Sequence, residues 1–176
     1  MTVLRTERLM LRPLELADAE AYAGMRHHPD VAKWLPVGDS APLDGSRATI
    51  QRFAHSWRER CYAPWGIFRD DRLIGHGGLN FVPEFGETEV LWALHPDAWG
   101  RGYATEAAKA ALNYGFGVIG LNLIFAIAKP DNQPSQAVMK RLGLKYTKDV
   151  VYKGIDAVWF ETASPVVSLP GSASRR

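Results

Sequence analysis

The sequence predicts an α/β (α+β) fold, with a mixed, mostly antiparallel sheet of about seven strands flanked by about four helices. Short β-rich runs divided by turn signals fill residues 65–94, a pattern typical of an antiparallel meander. Four other stretches repeat apolar residues at helical spacing. The length of 176 residues and the 47% hydrophobic fraction fit one domain with a single core, and we assign it to residues 1–162.

The N-terminal elements alternate between strand and helix signals. A first strand is predicted near residues 8–13, followed by a helix over residues 16–25. Residues 27–45 are rich in proline and glycine, which predicts a loop or a broken helix. The next helix is predicted over residues 46–60, with Ser46 as its N-cap because a serine hydroxyl accepts a free N–H of the first turn.

The C-terminal elements continue in a regular order. Asn132 is the predicted N-cap of the last helix, which ends at Gly143, where glycine readily adopts the left-handed conformation of a helix end. The tail, residues 163–176, is rich in small and polar residues and is predicted to be disordered. The predicted elements are strands at 65–68, 73–75 and 88–94, a helix at 103–116, a strand at 123–128, a helix at 132–142 and strands at 145–152 and 155–161.

Composition excludes several functional classes. No apolar run approaches the roughly 20 residues of a membrane span, so no membrane association is expected. The net charge of +2 is small and the basic residues are scattered, so nucleic acid is not an expected partner. Cys61 is the only cysteine, which excludes disulfides and favours an inert role. Because the first residues show no secretion signal, we expect a cytoplasmic protein.

A glycine-rich turn between a strand and a helix predicts an anion site. The stretch 99–107 reads Trp-Gly-Arg-Gly-Tyr-Ala-Thr-Glu-Ala and follows the apolar run 90–94. Small residues at positions 100, 102 and 104 let the backbone approach a ligand closely. The unpaired N–H groups of the first helical turn favour an anion such as a pyrophosphate. An ordinary strand-to-helix turn also collects glycines, so this motif alone is weak.

The order of the elements and three motifs together resemble the GNAT superfamily of acyl-CoA-dependent N-acetyltransferases. The resemblance covers about residues 5–162, and its motifs look like the ribosomal-protein-alanine (RimJ/RimL-like) branch. It implies a sheet with a central splay, acetyl-CoA as donor and an amine as acceptor. The motifs are Thr6-Glu7-Arg8-Leu9-x-Leu11-Arg12, the stretch 99–107, and Asn132-x-x-Ser135 with Leu142-Gly143.

The resemblance also implies residue roles toward coenzyme A. The pyrophosphate would lie on the N–H groups of residues 100–104, and the pantetheine arm would pair with the preceding strand like an added strand. Asn132 would bind the arm, although helix capping explains an asparagine there equally well. The implied contacts are Trp92, Ala93, Leu94, Trp99, Gly100, Arg101, Gly102, Tyr103, Ala104, Thr105, Asn132 and Ser135.

Acetyl transfer to an amine needs a base, since a protonated amine has no lone pair. Glu89 is our first choice for this base, and Glu87 is its neighbour on the same face of the strand. The alternative is that both are solvent-exposed carboxylates at the start of the strand. An N–H near Ala93 or Leu94 would stabilise the oxyanion. Many relatives have a tyrosine acid seven residues after the motif asparagine, where this chain has Met139. Ser135 or a water would then take that role, or none is needed.

Other polar and aromatic residues receive weaker predictions. His95 is a strand-end residue, and His76, between glycines, marks a bulge or a close approach of another chain segment. His27 and His28 are adjacent and could be metal ligands, but the sequence offers no third ligand at a fitting spacing, so no metal site is predicted. The acceptor pocket is predicted to include Trp34, Leu35 and Phe81.

Two other functions remain open from the sequence. One is a non-catalytic acyl-CoA-binding module, which the methionine at the acid position supports. The other is a self-association protein in which the glycine turn is simply a turn. The acceptor is not specified: peptide N-termini, small-molecule amines and amino sugars all fit, and a homodimer is possible. Acceptor pockets would differ in residues 27–45 and 79–87, the least patterned segments.

Overall fold

A computed structural model describes residues 2–35 and 42–165. Eight strands form one sheet in the order β1-β2-β3-β4-β5-β6-β8-β7, in which β5 and β6 are parallel and the other neighbours are antiparallel. The predicted mixed, mostly antiparallel sheet is therefore confirmed. The strands are β1 Leu4–Arg5, β2 Met10–Arg12, β3 Pro64–Arg69, β4 Arg72–Val82, β5 Glu87–Leu94, β6 Leu123–Ala128, β7 Lys145–Tyr152 and β8 Ile155–Ala163.

Five α-helices lie in the described part of the chain. They are α1 Ala19–Arg26, α2 Pro29–Ala32, α3 Pro42–Arg60, α4 Tyr103–Tyr114 and α5 Gln133–Arg141. No described helix is long and apolar enough to cross a membrane.

The N-terminal strand differs from its prediction. Instead of one strand at 8–13, β1 and β2 form a small antiparallel hairpin in which Leu4 faces Leu11. The hairpin turns at residues 6–9, where the Thr6 N–H donates to the Leu9 carbonyl at 2.9 Å. The alternation of charged and apolar residues continues through this turn, and so the pattern did not reveal it.

The N-terminus of α3 was also predicted wrongly. The helix begins at Pro42 rather than at Ser46, and Ser46 is 0% exposed inside it. Proline fits the first helical turn because its φ is already helical and its missing N–H would have no partner there. Residues 27–45 were predicted as a loop or a broken helix, and their described part agrees with the second alternative, since it holds α2 and the start of α3. The prediction for residues 36–41 lies outside the described chain.

Glycines extend β4 where the sequence pattern predicted a short strand at 73–75. A β-carbon on Gly75 would lie 2.3 Å from the Ala93 carbonyl oxygen, and one on Gly78 would lie 2.4 Å from the Trp65 ring. These glycines therefore allow β3 and β5 to approach β4 closely. The predicted close approach around His76 is confirmed, and the strand continues through it.

The C-terminal elements follow the prediction closely. The strand β6 has the predicted bounds, and α5 begins after Asn132, whose side chain accepts from the Ser135 N–H at 3.2 Å. Gly143 has φ +84 just beyond the end of α5, as the predicted helix terminus requires. The strand β8 continues to Ala163, the first residue of the predicted tail. From residue 166 on, the tail lies outside the described chain.

The centre of the sheet opens into a gap. Within the described residues, β5 and β6 are paired only at Glu89 and Phe125. On its other side β6 pairs with β8 over its whole length, so the divergence is confined to the β5–β6 seam. We call the opening beyond this pair the gap. It confirms the predicted central splay.

Candidate active site

A large cleft lies over the gap. Its volume is about 1580 Å³, above the roughly 300–1,000 Å³ of an ordinary small-molecule pocket, so it has room for two ligands. One wall, the donor wall, consists of β5, the turn at residues 99–105, β6 and α5. The opposite wall, the acceptor wall, consists of α1 and α3, with β4 beneath both.

The turn at residues 99–105, here called the cradle, has the backbone conformation that its glycines allow. Gly100 and Gly102 have φ +70 and +79, in the left-handed region that favours glycine. The first bond into α4 runs from the Glu106 N–H to the Gly102 carbonyl at 3.0 Å, so the preceding N–H groups have no helical partner. A β-carbon on Gly100 would meet nothing within 4 Å, which leaves the approach to these N–H groups open.

Six of the seven cradle residues line the cleft, namely Trp99, Gly100, Gly102, Tyr103, Ala104 and Thr105. The Trp99 indole N–H donates to the Leu94 carbonyl at 2.8 Å and so fixes the cradle to the end of β5. Arg101 does not line the cleft; its carbonyl accepts from Arg8 at 2.9 Å on the outside of the turn.

The N-terminal motif Thr6-Glu7-Arg8 supports the cradle from behind. The Thr6 hydroxyl donates to Glu106 Oε1 at 2.6 Å, and Arg8 Nε donates to Glu106 Oε2 at 2.7 Å. Burial alone would raise the pKa of Glu106, but the bonds from Thr6 and Arg8 outweigh it and lower that pKa. Glu106 therefore stays ionised in the first turn of α4, where negative charge also suits the helix dipole.

The backbone of β5 presents alternate residues to the gap. The His95 N–H donates to the Ile74 carbonyl of β4 at 2.8 Å, and the Ala93 carbonyl also lies against β4, beside Gly75. Because successive backbone groups of a strand point to opposite sides, those of Trp92 and Leu94 face the gap. Of the two predicted oxyanion donors, Leu94 therefore has its N–H on the gap side.

On the other side of the gap, the start of α5 contributes Asn132 and Ser135, and both line the cleft. The capping role of Asn132 is confirmed, and its amide nitrogen makes no hydrogen bond within the described residues, so it is free to donate to a ligand. Met139, one turn further along, is 1% exposed and also lines the cleft. A thioether at this position supplies no proton.

The structure separates the two candidate carboxylates. Glu87 is exposed at the start of β5 and does not line the cleft, whereas Glu89 is 9% exposed and lines it at the closed end of the gap. Burial raises the pKa of Glu89 to about 7, although Asn80, directly opposite on β4, and the Lys153 ammonium act to lower it. A carboxyl group that titrates near neutral pH suits a general base.

The remaining predicted residues lie as follows. The predicted acceptor residues Trp34, Leu35 and Phe81 line the cleft. His76 is buried in its floor, and burial lowers the pKa of that imidazole to about 3. His95 lies just beyond β5 and its ring accepts from the Asp97 N–H. Within residues 2–35 and 42–165, no three His, Cys, Asp or Glu side chains are close enough together to hold a metal ion.

The sequence pattern did not predict the acceptor wall. Arg26 of α1 donates to the Thr49 hydroxyl of α3 at 3.1 Å, and five side chains of this wall line the cleft, namely Tyr22, Arg26, Thr49, Arg52 and Phe53. A signal was present in α3, where polar residues recur three to four positions apart and would form one helix face. The pattern did not show whether that face meets solvent or a ligand.

The site and the fold define a class of protein, and comparison with known proteins identifies the family. A family model described as an acetyltransferase (GNAT) domain matches residues 8–145. The chain belongs to this family and is a GNAT-family N-acetyltransferase. Acetyl-CoA is the donor that the family uses.

Individual proteins agree with this assignment. The chain is 34% identical over 157 residues, 86% of its length and 89% of the relative's, to an uncharacterized N-acetyltransferase, YnaD, of Bacillus subtilis (strain 168). An acetyltransferase crystal structure from Agrobacterium tumefaciens str. C58 matches with a TM-score of 0.81 and 28% identity over 92% of this chain and 94% of that one. RimL, a ribosomal alpha-N-protein acetyltransferase solved with coenzyme A, shares the fold at a TM-score of 0.77 and 17% identity, with 92% and 98% covered.

Proposed function

We propose that this protein transfers an acetyl group from acetyl-CoA to a primary amine, by direct attack while both substrates are bound. The observation that carries the proposal is the position of Glu89. This buried carboxyl lies at the closed end of the gap, in the same cleft as an open glycine cradle. One cavity thus combines an anion site, an unpaired strand edge and a base.

The donor wall fits coenzyme A. The N–H groups of the cradle would bind the pyrophosphate, and a β-carbon on Gly102 would point into open space apart from Arg8 Nη2 at 3.4 Å. The backbone of Trp92 would pair with an amide of the pantetheine arm, and the Leu94 N–H would lie beside the thioester, since the Leu94 carbonyl already accepts from Trp99. Asn132 would donate its amide N–H to the same arm from the other side of the gap.

Glu89 would prepare the acceptor. Near pH 7 a large fraction of this carboxyl is ionised, and it can take a proton from the acceptor ammonium, directly or through one water. The amine attacks the carbonyl carbon of the acetyl thioester and forms the carbon–nitrogen bond, and the carbon–sulfur bond then breaks. The second proton of the nitrogen passes to the departing thiolate, so the products are the acetylated amine and coenzyme A. The Leu94 N–H would donate to the carbonyl oxygen as it gains negative charge.

No strong acid is required for the departing thiol. A thiol has a pKa of about 8.5, so its thiolate is a stable leaving group near neutral pH. Ser135 lies in the cleft one turn before the buried Met139, and its hydroxyl could stabilise the sulfur by a hydrogen bond. The methionine is therefore compatible with turnover.

We propose no narrower acceptor class than a primary amine, which is either the N-terminal amine of a peptide or a small-molecule amine. The coenzyme A complex of RimL is of the same fold and supports the donor assignment. The non-catalytic alternative predicts donor binding without turnover of any amine.

The donor site can be tested with Gly102→Val and a matched control. Gly120 has nearly the same backbone, φ +77 against +79, and its β-carbon would meet nothing within 4 Å, but it lies beyond the far end of α4. Both valines cost about 1–2 kcal/mol of backbone strain. Calorimetric titration with coenzyme A should show at least roughly a tenfold loss of affinity in Gly102→Val and none in Gly120→Val, since only the first blocks the cradle.

Release of free thiol from acetyl-CoA, measured over a panel of peptides and small amines, tests turnover in the same proteins. The proposal expects amine-dependent release that Gly102→Val abolishes. A folded Gly102→Val protein with unchanged affinity for coenzyme A would refute the cradle assignment. Tight binding with no release on any amine would support the non-catalytic alternative.

A further inference from the structure

The acceptor wall contains a group of buried polar atoms that have no partner. The Tyr22 hydroxyl, Arg26 Nε and His76 Nδ1 are inaccessible to solvent and make no hydrogen bond, and all three belong to residues that line the cleft. Tyr22 is 0% and His76 is 6% exposed. Leaving such groups unpaired costs free energy, so three together point to a ligand that completes them.

These three side chains lie next to one another. The rings of Tyr22 and His76 meet edge to face at 5.3 Å, and the Arg26 guanidinium lies 5.6 Å from the centre of the Tyr22 ring. Arg26 Nη1 donates to the Thr49 hydroxyl at 3.1 Å, which holds the guanidinium in place. Nε and Nη2 make no hydrogen bond within the described residues, and this edge of arginine binds a carboxylate through two parallel bonds once it turns toward the ligand.

The charge of this wall is positive and uncompensated. Within the described parts of the chain, neither Arg26 nor Arg52 forms a salt bridge. The charges of both arginines are felt at the Tyr22 hydroxyl. Each of them lowers the pKa of Tyr22, although burial raises that pKa by more. A cationic acceptor such as a polyamine would be repelled here, whereas an anionic group would be attracted.

We infer that the acceptor carries a carboxylate beside its amine, and that Tyr22, Arg26, Arg52 and His76 form the subsite that binds this carboxylate. The inference rests on the proposed function, because it assigns the second substrate of the same cleft. Tyr22 donates its O–H, Arg26 donates from its free edge, and the neutral His76 ring donates when its hydrogen is on Nδ1. A carboxylate has about four lone-pair positions for these donors.

Paired acceptors with and without the carboxylate test the inference on the full-length protein, with KM expressed per unprotonated amine because a neighbouring carboxylate also raises the pKa of the amine. Each L-amino acid is compared with its C-terminal amide, and alanine-initiated peptides with aspartate at the second position are compared with their asparagine counterparts. Thiol release from acetyl-CoA gives kcat and KM for every pair. We expect KM roughly 10- to 100-fold lower for the carboxylate member, the range typical of hydrogen bonds to a charged group.

Variants show whether the preference comes from this subsite. Tyr22→Phe removes one unpaired hydroxyl, so it should fold normally and raise KM for carboxylates roughly tenfold, with KM for the amides and for acetyl-CoA unchanged. Arg26→Gln should abolish the preference. Arg58→Gln is the matched control, because Arg58 lies on α3, is exposed and does not line the cleft.

Two outcomes overturn the inference and are distinguishable. If amides are acetylated as well as carboxylates, or the preference survives both Tyr22→Phe and Arg26→Gln, the subsite assignment is wrong while the proposed function stands. If coenzyme A binds but no amine of the panel is acetylated, the proposed function fails and the inference fails with it.

Discussion

The side chain of Glu89 combines two properties that sequence alone does not couple, namely burial and access to a ligand. It sits at the point where β5 and β6 separate, 9% exposed, opposite Asn80. Desolvation raises the pKa of this carboxyl to about 7 because the charged form loses water. The same desolvation makes the carboxylate a stronger base than a surface glutamate.

The pH dependence of turnover tests this role. With an uncharged or weakly basic acceptor, kcat/KM should rise about tenfold per pH unit below pH 7 and level off above it, because Glu89 must be ionised to act. Glu89→Gln should reduce kcat at least roughly 100-fold, as typical for loss of a general base. Glu87→Gln is the matched control, and it should leave the profile unchanged. A normal profile in Glu89→Gln would contradict the assignment.

The stability of the same variant provides an independent check. The folded-state pKa of Glu89 is about 7 and the ordinary value is 4.5, so the folded protein retains a proton that the unfolded chain releases. The free energy of unfolding should therefore fall as pH rises from 4.5 through 7, by about 3 kcal/mol for this group. Denaturant unfolding at pH 5 and pH 8 should show a smaller decrease in Glu89→Gln than in the wild type.

The sequence could narrow the base to two residues but no further. Glu87 and Glu89 share one face of a strand in any alternating pattern, so their difference in burial depends on β6 and β4, which come from elsewhere in the chain. For Ser46, in contrast, the residue type led to a wrong prediction of where α3 begins. Its residue type favoured a cap, but the start of the helix was determined by Pro42 four residues earlier.

At the level of elements, the start of α4 depends on a hairpin nearly a hundred residues away. Thr6 and Arg8, in the turn between β1 and β2, hold Glu106 in the first turn of the helix. The Arg8 guanidinium also lies 4.6 Å from the centre of the Tyr103 ring and bonds to the Arg101 carbonyl. The family-like N-terminal motif therefore has a structural explanation, which is to fix the cradle.

Replacement of Thr6 by valine should weaken both the fold and the donor site. The change keeps the shape but removes the 2.6 Å bond to Glu106 and the acceptor for the Leu9 N–H, so we expect a loss of about 1–3 kcal/mol in unfolding free energy. Affinity for coenzyme A should also fall. Thr147→Val, at an exposed position of β7, is the control and should change neither. Full coenzyme A affinity in Thr6→Val would show that the cradle needs no such support.

Elements with a strong local signal were the ones predicted well. The strand β6 is a continuous apolar run, and α5 has an asparagine cap and a terminal glycine, so both have the predicted ends within a residue or two. By contrast, β4 continues through three glycines because neighbouring strands need the space, which is a tertiary requirement. The acceptor wall was missed for the same reason, since helix periodicity does not reveal what a polar face meets.

For the whole molecule, the decisive feature is a sheet whose two central strands, β5 and β6, meet at one end and separate toward the other. The eight strands form one order, but β5 and β6 share a single paired position. The backbone of Trp92 and Leu94 then lacks a strand partner on the gap side, whereas Ala93 faces β4. A bound pantetheine arm would supply the missing partner.

Amide hydrogen exchange measured by NMR tests this arrangement. Without ligand, the amides of Trp92 and Leu94 should exchange faster than that of Ala93, which β4 protects. Saturating acetyl-CoA, whose thioester carbonyl would accept from Leu94, should slow the first two at least roughly tenfold and leave Ala93 nearly unchanged, because exchange follows local opening. If binding is established by calorimetry and the two amides show no added protection, the arm does not pair with β5.

The division of the cleft into two walls also has a consequence for how such a protein changes over time. The donor wall is encoded between residues 87 and 141, whereas the two helices of the acceptor wall are encoded between residues 19 and 60. Mutations in α1 and α3 can therefore alter the acceptor without touching the cradle or the gap. Descendants of one gene can acquire new substrates while inheriting an intact means of acetylating them.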